Sequence, residues 1–205
     1  MKGLLYKEFL MVVKHCKAFF FLGAVFAVGL ALEPGNLFYM VYPCLFAGMI
    51  PMSLLSYDER DKWTRFSSTL PVSRGMLVSV KYLVGMLCQL AVLAAIGIVY
   101  CVSLWNEGMF VAEEFLATLA ILLSFDLIVP APLMPCIFKL GAEKGRMVYY
   151  VILGVVSGLA AAGAYFGYDF ALLPQWGVGG LCCLCAALYA ASWLLSIRFY
   201  QNQDL

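Results

Sequence analysis

The stretch Tyr82–Trp105, YLVGMLCQLAVLAAIGIVYCVSLW, runs for 24 residues without a charge, with Lys81 immediately before it and Glu107 shortly after it. About 20 apolar residues wound as a helix cross the roughly 30 Å of a bilayer's hydrocarbon. Its apolar residues do not alternate with polar ones, as the strands of a membrane barrel would require. The segment therefore reads as a membrane-spanning helix. Five more segments read the same way: 18–32, 37–57, 116–138, 147–168 and 177–197. The first is short, but Lys17 and Glu33 at its ends can extend toward the headgroups. Of the 205 residues, 64% are hydrophobic and 12% charged, with mean hydropathy +0.94. A soluble domain carries about twice that charge. A soluble enzyme, a nucleic-acid binder and a disordered chain are excluded as classes, and an all-α bundle of six spans in one domain, 1–205, is expected.

The placement of charge orients the bundle. All 13 lysines and arginines fall before the first span, between the second and third, between the fourth and fifth, or after the sixth. The alternate loops hold Glu33, Glu107, Glu113, Glu114 and Asp169, with no basic residue. Basic loops stay in the cytoplasm, so both termini are expected there. The basic leader is long for a cleaved signal, and the first span reads as a signal-anchor.

Residues 1–17 repeat Leu5, Phe9, Val12 and Cys16 at helical spacing, with Lys7, Glu8, Lys14 and His15 opposite. This pattern predicts an amphipathic helix in the inner interface, with lipid as its partner. The eight cysteines have no disulfide pattern. Cys182, Cys183 and Cys185 point in different directions on one helix and have no adjacent histidine or carboxylate, so they read as packing residues.

Three features carry candidate chemistry. Asp126 is the one charged residue deep in a span, and Pro130, Pro132 and Pro135 follow it. Intramembrane carboxyls are costly and are functional candidates by default. Each proline removes a backbone donor, which predicts a broken or kinked inner half. Asp126 either lines a translocation pathway or bonds a neighbouring helix. Gly154 and Gly158, then Gly163 and Gly167, recur at intervals of four and suggest close helix packing, within the chain or across a dimer. The cytoplasmic loop 58–81 is the largest outside the membrane. Within it, Asp58 with Lys62 and Asp61 with Arg65 are spaced to pair on a helix. Trp63 and Phe66 project together from that helix, Leu70-Pro71 ends it, and Ser73 is placed to cap the next one. Such a helix meets either a protein partner or the headgroup layer.

The run Tyr57-Asp58-Glu59, Lys62-Trp63, Leu70-Pro71-Val72-Ser73-Arg74 and Lys81-Tyr82 resembles the loop of ABC-2 type permeases of bacterial ABC exporters. The start Leu5-Tyr6-Lys7-Glu8-Phe9 is also similar to theirs. The resemblance implies a plasma-membrane permease that pairs with a second permease chain, homomeric or heteromeric, and sits on separate cytoplasmic ATPase subunits that bind ATP and Mg. It implies a coupling helix that includes Asp58, Glu59, Arg60, Lys62, Trp63 and Phe66, and export of an amphipathic or hydrophobic peptide such as a toxin or antimicrobial. The chain itself carries no phosphate-binding G-x-x-x-x-G-K-[ST] loop, so ATP hydrolysis is expected in a partner; no cofactor, metal or nucleic acid is expected on this chain. A secondary carrier or channel built on Asp126 and the broken fourth span is the alternative. An intramembrane protease is disfavoured, because Glu113-Glu114 and the single histidine, His15, fall on opposite sides.

Overall fold

A computed structural model describes residues 2–33, 36–67, 72–165 and 175–201. All regular structure among them is helical. The elements are α1 (Lys2–His15), α2 (Lys17–Leu32), α3 (Leu37–Ala47), α4 (Ile50–Arg60), α5 (Trp63–Ser67), α6 (Arg74–Asn106), α7 (Ala112–Ile128), α8 (Pro130–Leu140), α9 (Ala142–Tyr165) and α10 (Gln175–Gln201). Among the described residues, four units are long and apolar enough to cross a bilayer: Phe38–Arg60, Arg74–Asn106, Ala112–Leu140 and Gly179–Gln201. The pair α1 and α2, bent by 62° around Cys16, makes a fifth if taken as one span. The expected fifth span corresponds to α9, and its last residues, 166–168, lie outside the described residues. So do Leu70-Pro71, Gly167 and Asp169.

Helix breaks in the spans follow from local chemistry. A proline at position i leaves the carbonyl of i−4 without its ladder donor. The second span pauses at Gly48–Met49 before Pro51, which withholds its donor from the Ala47 carbonyl; two residues earlier the Leu45 carbonyl accepts from the Gly48 amide at 3.1 Å and from the Tyr149 hydroxyl on α9 at 3.0 Å. The fourth span pauses at Val129 alone, which corrects the expectation of a broken inner half: α8 runs on through Pro135 to Leu140. Val129 itself keeps helical φ −69 and ψ −50, so Pro130 and Pro132 withhold the donors that a continuous helix would give the carbonyls of residues 126 and 128.

α10 packs along α6, α7 and α8, while α2 and α3 lie on α6 from the other side. The α6–α10 contact is an aromatic and hydroxyl clasp. The Tyr82 hydroxyl shares hydrogen bonds with Ser192 (2.8 Å) and Ser196 (2.6 Å), and its ring stacks on Trp193 at 5.6 Å. Trp193 Nε1 donates to Ser79 Oγ at 3.1 Å. Close approach elsewhere depends on missing side chains. A Cβ on Gly85 would lie 2.5 Å from Pro51 Cγ, and one on Gly145 would lie 2.5 Å from Ile137 Cγ1. Gly154 and Gly158, expected as packing residues, have nothing within 4 Å of a Cβ. Their face of α9 is open among the described residues, and the side of Gly163 lies outside them.

Candidate functional site

The site forms where α1, α4 and α6 converge at the end of the bundle that carries the basic residues. Ser73 caps α6, its Oγ accepting from the Met76 amide at 3.3 Å. One turn further along α6, Val80 and Lys81 turn into the bundle. α1 packs its Val12 and Cys16 against Ile50, Leu54, Val80, Val84 and Cys88, with Leu4, Leu5 and Met11 beside them. This docking brings four charges together. Lys7 Nζ donates to Glu8 Oε1 at 3.0 Å and to Asp58 Oδ1 at 2.5 Å. Lys81 Nζ donates to the same Glu8 oxygen at 3.3 Å and to Asp58 Oδ2. Glu8 is 2% exposed, Asp58 4% and Lys81 6%. Two cations and two carboxylates thus close a neutral ring across three helices. Removing one member of such a buried set strands a charge and typically costs about 3–5 kcal/mol, although the intact set is not necessarily better than an apolar core.

This ring corrects two expectations. Asp58 is not a surface charge and does not pair with Lys62. Lys62 adopts φ +54, a left-handed conformation that ends α4 at Arg60 and starts α5 at Trp63, so the run from Asp58 to Phe66 is a helical corner rather than one helix. The Arg65 side chain, the expected partner of Asp61, lies outside the described residues. α1 is also rotated relative to its expected polar and apolar faces. Glu8 points into the protein, while Phe9 joins Tyr6, Leu10 and Val13 on an exposed apolar face. A helix with two apolar faces settles on the one whose buried acid finds cations.

Glu59 is likewise engaged within the chain. Both carboxylate oxygens accept from the Ala142 amide at 3.1 Å, which caps the start of α9 just after Gly141, itself at φ +85. A carboxylate at that position also complements the positive end of the helix dipole. Arg146 Nη2 donates to Ser56 Oγ at 3.2 Å beside it. Arg60 and Lys62 are exposed. Trp63 is half-buried with Lys7 Nζ 4.3 Å from its ring centroid, and Phe66 lies 5.4 Å from Trp63 and is 56% exposed. The α4–α5 corner is therefore anchored inward on three sides, to α1, α6 and α9, and presents Arg60, Lys62 and Phe66 outward.

The second candidate lies deep in the bundle. Asp126 is buried, and its Oδ1 has no hydrogen-bond partner among the described residues. The main-chain carbonyl of Asp126 is the one Pro130 cannot serve. Gln89 on α6 takes that role, its Nε2 donating to the Asp126 carbonyl at 2.8 Å. Gln89 was not legible as a site residue, since an uncharged amide in an apolar run carries no charge signal. The eight cysteines are free thiols. Cys182 Sγ contacts Ser124 Oγ and the Ala120 carbonyl, both at 3.2 Å, and so joins α10 to α7.

Long apolar helices with a charged clamp at one end define an integral membrane protein of the helical class. The family model described as ABC-2 family transporter protein matches residues 3–201, and the chain belongs to that family. It is thus a permease of the ABC-2 type, the membrane component of a transporter and not itself a catalyst. No curated protein and no solved structure matches the chain.

Proposed function

We propose that this chain is the transmembrane half of an ATP-driven exporter, with the α4–α5 corner as the surface on which a separate cytoplasmic ATPase subunit docks. The observation that carries this reading is the combination at the corner: Arg60, Lys62 and Phe66 face outward, while Asp58, Glu59 and Trp63 reach α6, α9 and α1. Force applied to the corner reaches three other helices through bonds rather than through a flexible linker. In this reading the bundle has six spans with both termini in the cytoplasm, it pairs with a second permease chain, and the open Gly154–Gly158 face of α9 suits close helix contact. The cargo is an amphipathic or hydrophobic peptide. Asp126 and the pause at Val129 lie on or beside its path, a placement supported by the unpartnered Asp126 Oδ1.

Site-directed crosslinking tests the docking surface. A Phe66→Cys permease expressed with a cognate ATPase subunit should crosslink to that subunit, and vesicles holding both should transport only with ATP. Recovery of full ATP-driven transport with no crosslink from Phe66, Arg60 or Lys62 positions would refute the assignment. Cysteines at Glu33 and Glu113 should label from outside intact cells and one at Lys144 should not; outside labelling at Lys144 would overturn the six-span arrangement. Asp126→Asn should alter transport or its dependence on pH, and an unchanged rate between about pH 5 and 8, on either side of the ordinary histidine range, would remove Asp126 from the path.

A further inference from the structure

In the half of the bundle away from the charged ring, two apolar furrows meet on α6. One, of about 680 Å³, lies between α6 and α7 and is lined by Leu90, Ala94, Gly97, Phe115, Leu119 and Leu123 among others. The other, of about 400 Å³, lies between α6 and the end of α2, where Ala31, Val99 and Val102 line it, and it reaches Asn106 and Glu107. Ile98 walls both furrows and stands 66% exposed as the ridge between them. Both volumes fall within the range of about 300–1,000 Å³ typical of small-ligand sites. The rim is negative. α6 has no basic residue in its last turn, and its C-cap is Glu107. The carbonyl end of a helix carries a partial negative charge that a cation ordinarily complements; here a carboxylate adds to it. The segments at this end hold Glu33, Glu107, Glu113 and Glu114 and no lysine or arginine. Trp105, exposed beside them, suits the level of the headgroups. A second copy of the chain brought against this rim by a two-fold axis would set carboxylate against carboxylate.

We infer that the two furrows form a binding site for one zwitterionic diacyl phospholipid, with its chains on either side of Ile98 and its headgroup cation at Glu107. The Asn106 amide is placed to donate to the phosphate. The bound lipid completes the packing of α2, α6 and α7, which the protein's own described side chains leave open. An anionic phospholipid offers the same chains but meets the rim with net negative charge, so the site selects by headgroup. Which leaflet supplies the lipid follows from the six-span orientation proposed above; the site itself does not depend on it.

The test is native mass spectrometry of the full chain in detergent micelles at neutral pH, titrated with dioleoyl phosphatidylethanolamine, dioleoyl phosphatidylglycerol and one-chain lysophosphatidylethanolamine. The wild type should hold phosphatidylethanolamine roughly threefold tighter than phosphatidylglycerol, the size of an exposed ion pair, and tighter than the lysolipid. Glu107→Gln should bring the two diacyl lipids together. Ala94→Phe and Ala31→Phe each fill one furrow, and each should weaken phosphatidylethanolamine binding by roughly threefold or more through lost chain burial. Val151→Phe, on the exposed face of α9, should change nothing. The comparison among lipids needs no variant, so it decides even if a furrow variant does not fold. The inference is overturned if the wild type binds the two diacyl lipids equally, if the preference survives Glu107→Gln, or if either folded furrow variant binds like wild type. It is also overturned if Val151→Phe weakens binding as much as they do, or if a dimer of the chain forms and carries no lipid, which would give the furrows to a second copy. A headgroup preference together with outside labelling at Lys144 would refute the orientation and leave the site standing; no preference with the expected labelling would do the reverse.

Discussion

Replacing Gln89 by methionine keeps the length and shape of the side chain and removes its hydrogen-bond donor. In the wild type, Nε2 satisfies the Asp126 carbonyl at 2.8 Å, because the residue four places on is Pro130 and has no N–H. Both groups are buried. Stranding a buried acceptor costs about 1–3 kcal/mol in soluble proteins. Side-chain hydrogen bonds inside membrane proteins measure lower, ~0.6 on average and up to about 1.7 kcal/mol. Gln89→Met should therefore destabilise the bundle by ~1–2 kcal/mol, roughly 5- to 30-fold in the folding equilibrium. The assay is reversible unfolding in mixed micelles, followed by tryptophan fluorescence. The decisive background is Pro130→Ala. It restores a ladder donor to the Asp126 carbonyl, so Gln89→Met should then cost less than ~0.5 kcal/mol, the usual scatter of independent sites. An equal cost in both backgrounds would show that Gln89 stabilises by packing alone, and the replacement-donor reasoning would fail.

Three further outcomes are expected. Lys81→Met should lower stability by about 3–5 kcal/mol by stranding carboxylates, and adding Glu8→Gln should restore much of it, as measured in the same unfolding assay. Glu59→Ala should cost about 1 kcal/mol through loss of the α9 cap and speed amide exchange in the first turn of α9; unchanged exchange there would dismiss the cap. Cys16 should stay unmodified by a membrane-permeant maleimide near neutral pH. Burial, with Cys88 beside it, pushes its thiol up to about 11, which leaves a reactive thiolate fraction about a hundredfold below that of an ordinary thiol; labelling of folded protein at the rate of an exposed cysteine would contradict the packing of α1.

Four of the six expected spans, 37–57, 82–105, 116–138 and 177–197, were legible because each is a run of apolar residues longer than a soluble helix needs, and the asymmetry of lysine and arginine was visible along the chain. Ser73 was legible as a cap because capping is local. The charged ring was not. Lys7 sits on the expected polar face of the amphipathic helix, and Asp58 and Lys81 lie in the expected cytoplasmic loop, places where a charge is ordinarily solvated; their closure depends on how α1 docks on α4 and α6. The spacing of Asp58 and Lys62 suggested a local pair, but the left-handed Lys62 turned its side chain out of that register and the tertiary cations won. Glycine spacing pointed to Gly154 and Gly158, whereas the tightest contacts fall on Gly29, Gly85 and Gly145. A four-residue interval marks a helix that can be approached closely, and says nothing about which face a neighbour takes.

The ring of Lys7, Glu8, Asp58 and Lys81 has an electrical consequence. One elementary charge carried through a potential of 100 mV does about 2.3 kcal/mol of work, comparable to the energies that separate conformations. With two cations and two carboxylates held together, the ring moves as a neutral body, and the membrane potential neither drives nor opposes its displacement. The ring therefore adds no net charge to any motion of α1 or the head of α6, and the pull of the membrane potential on those elements is left to the charges outside it, such as Lys14 on α1 and Arg74 on α6.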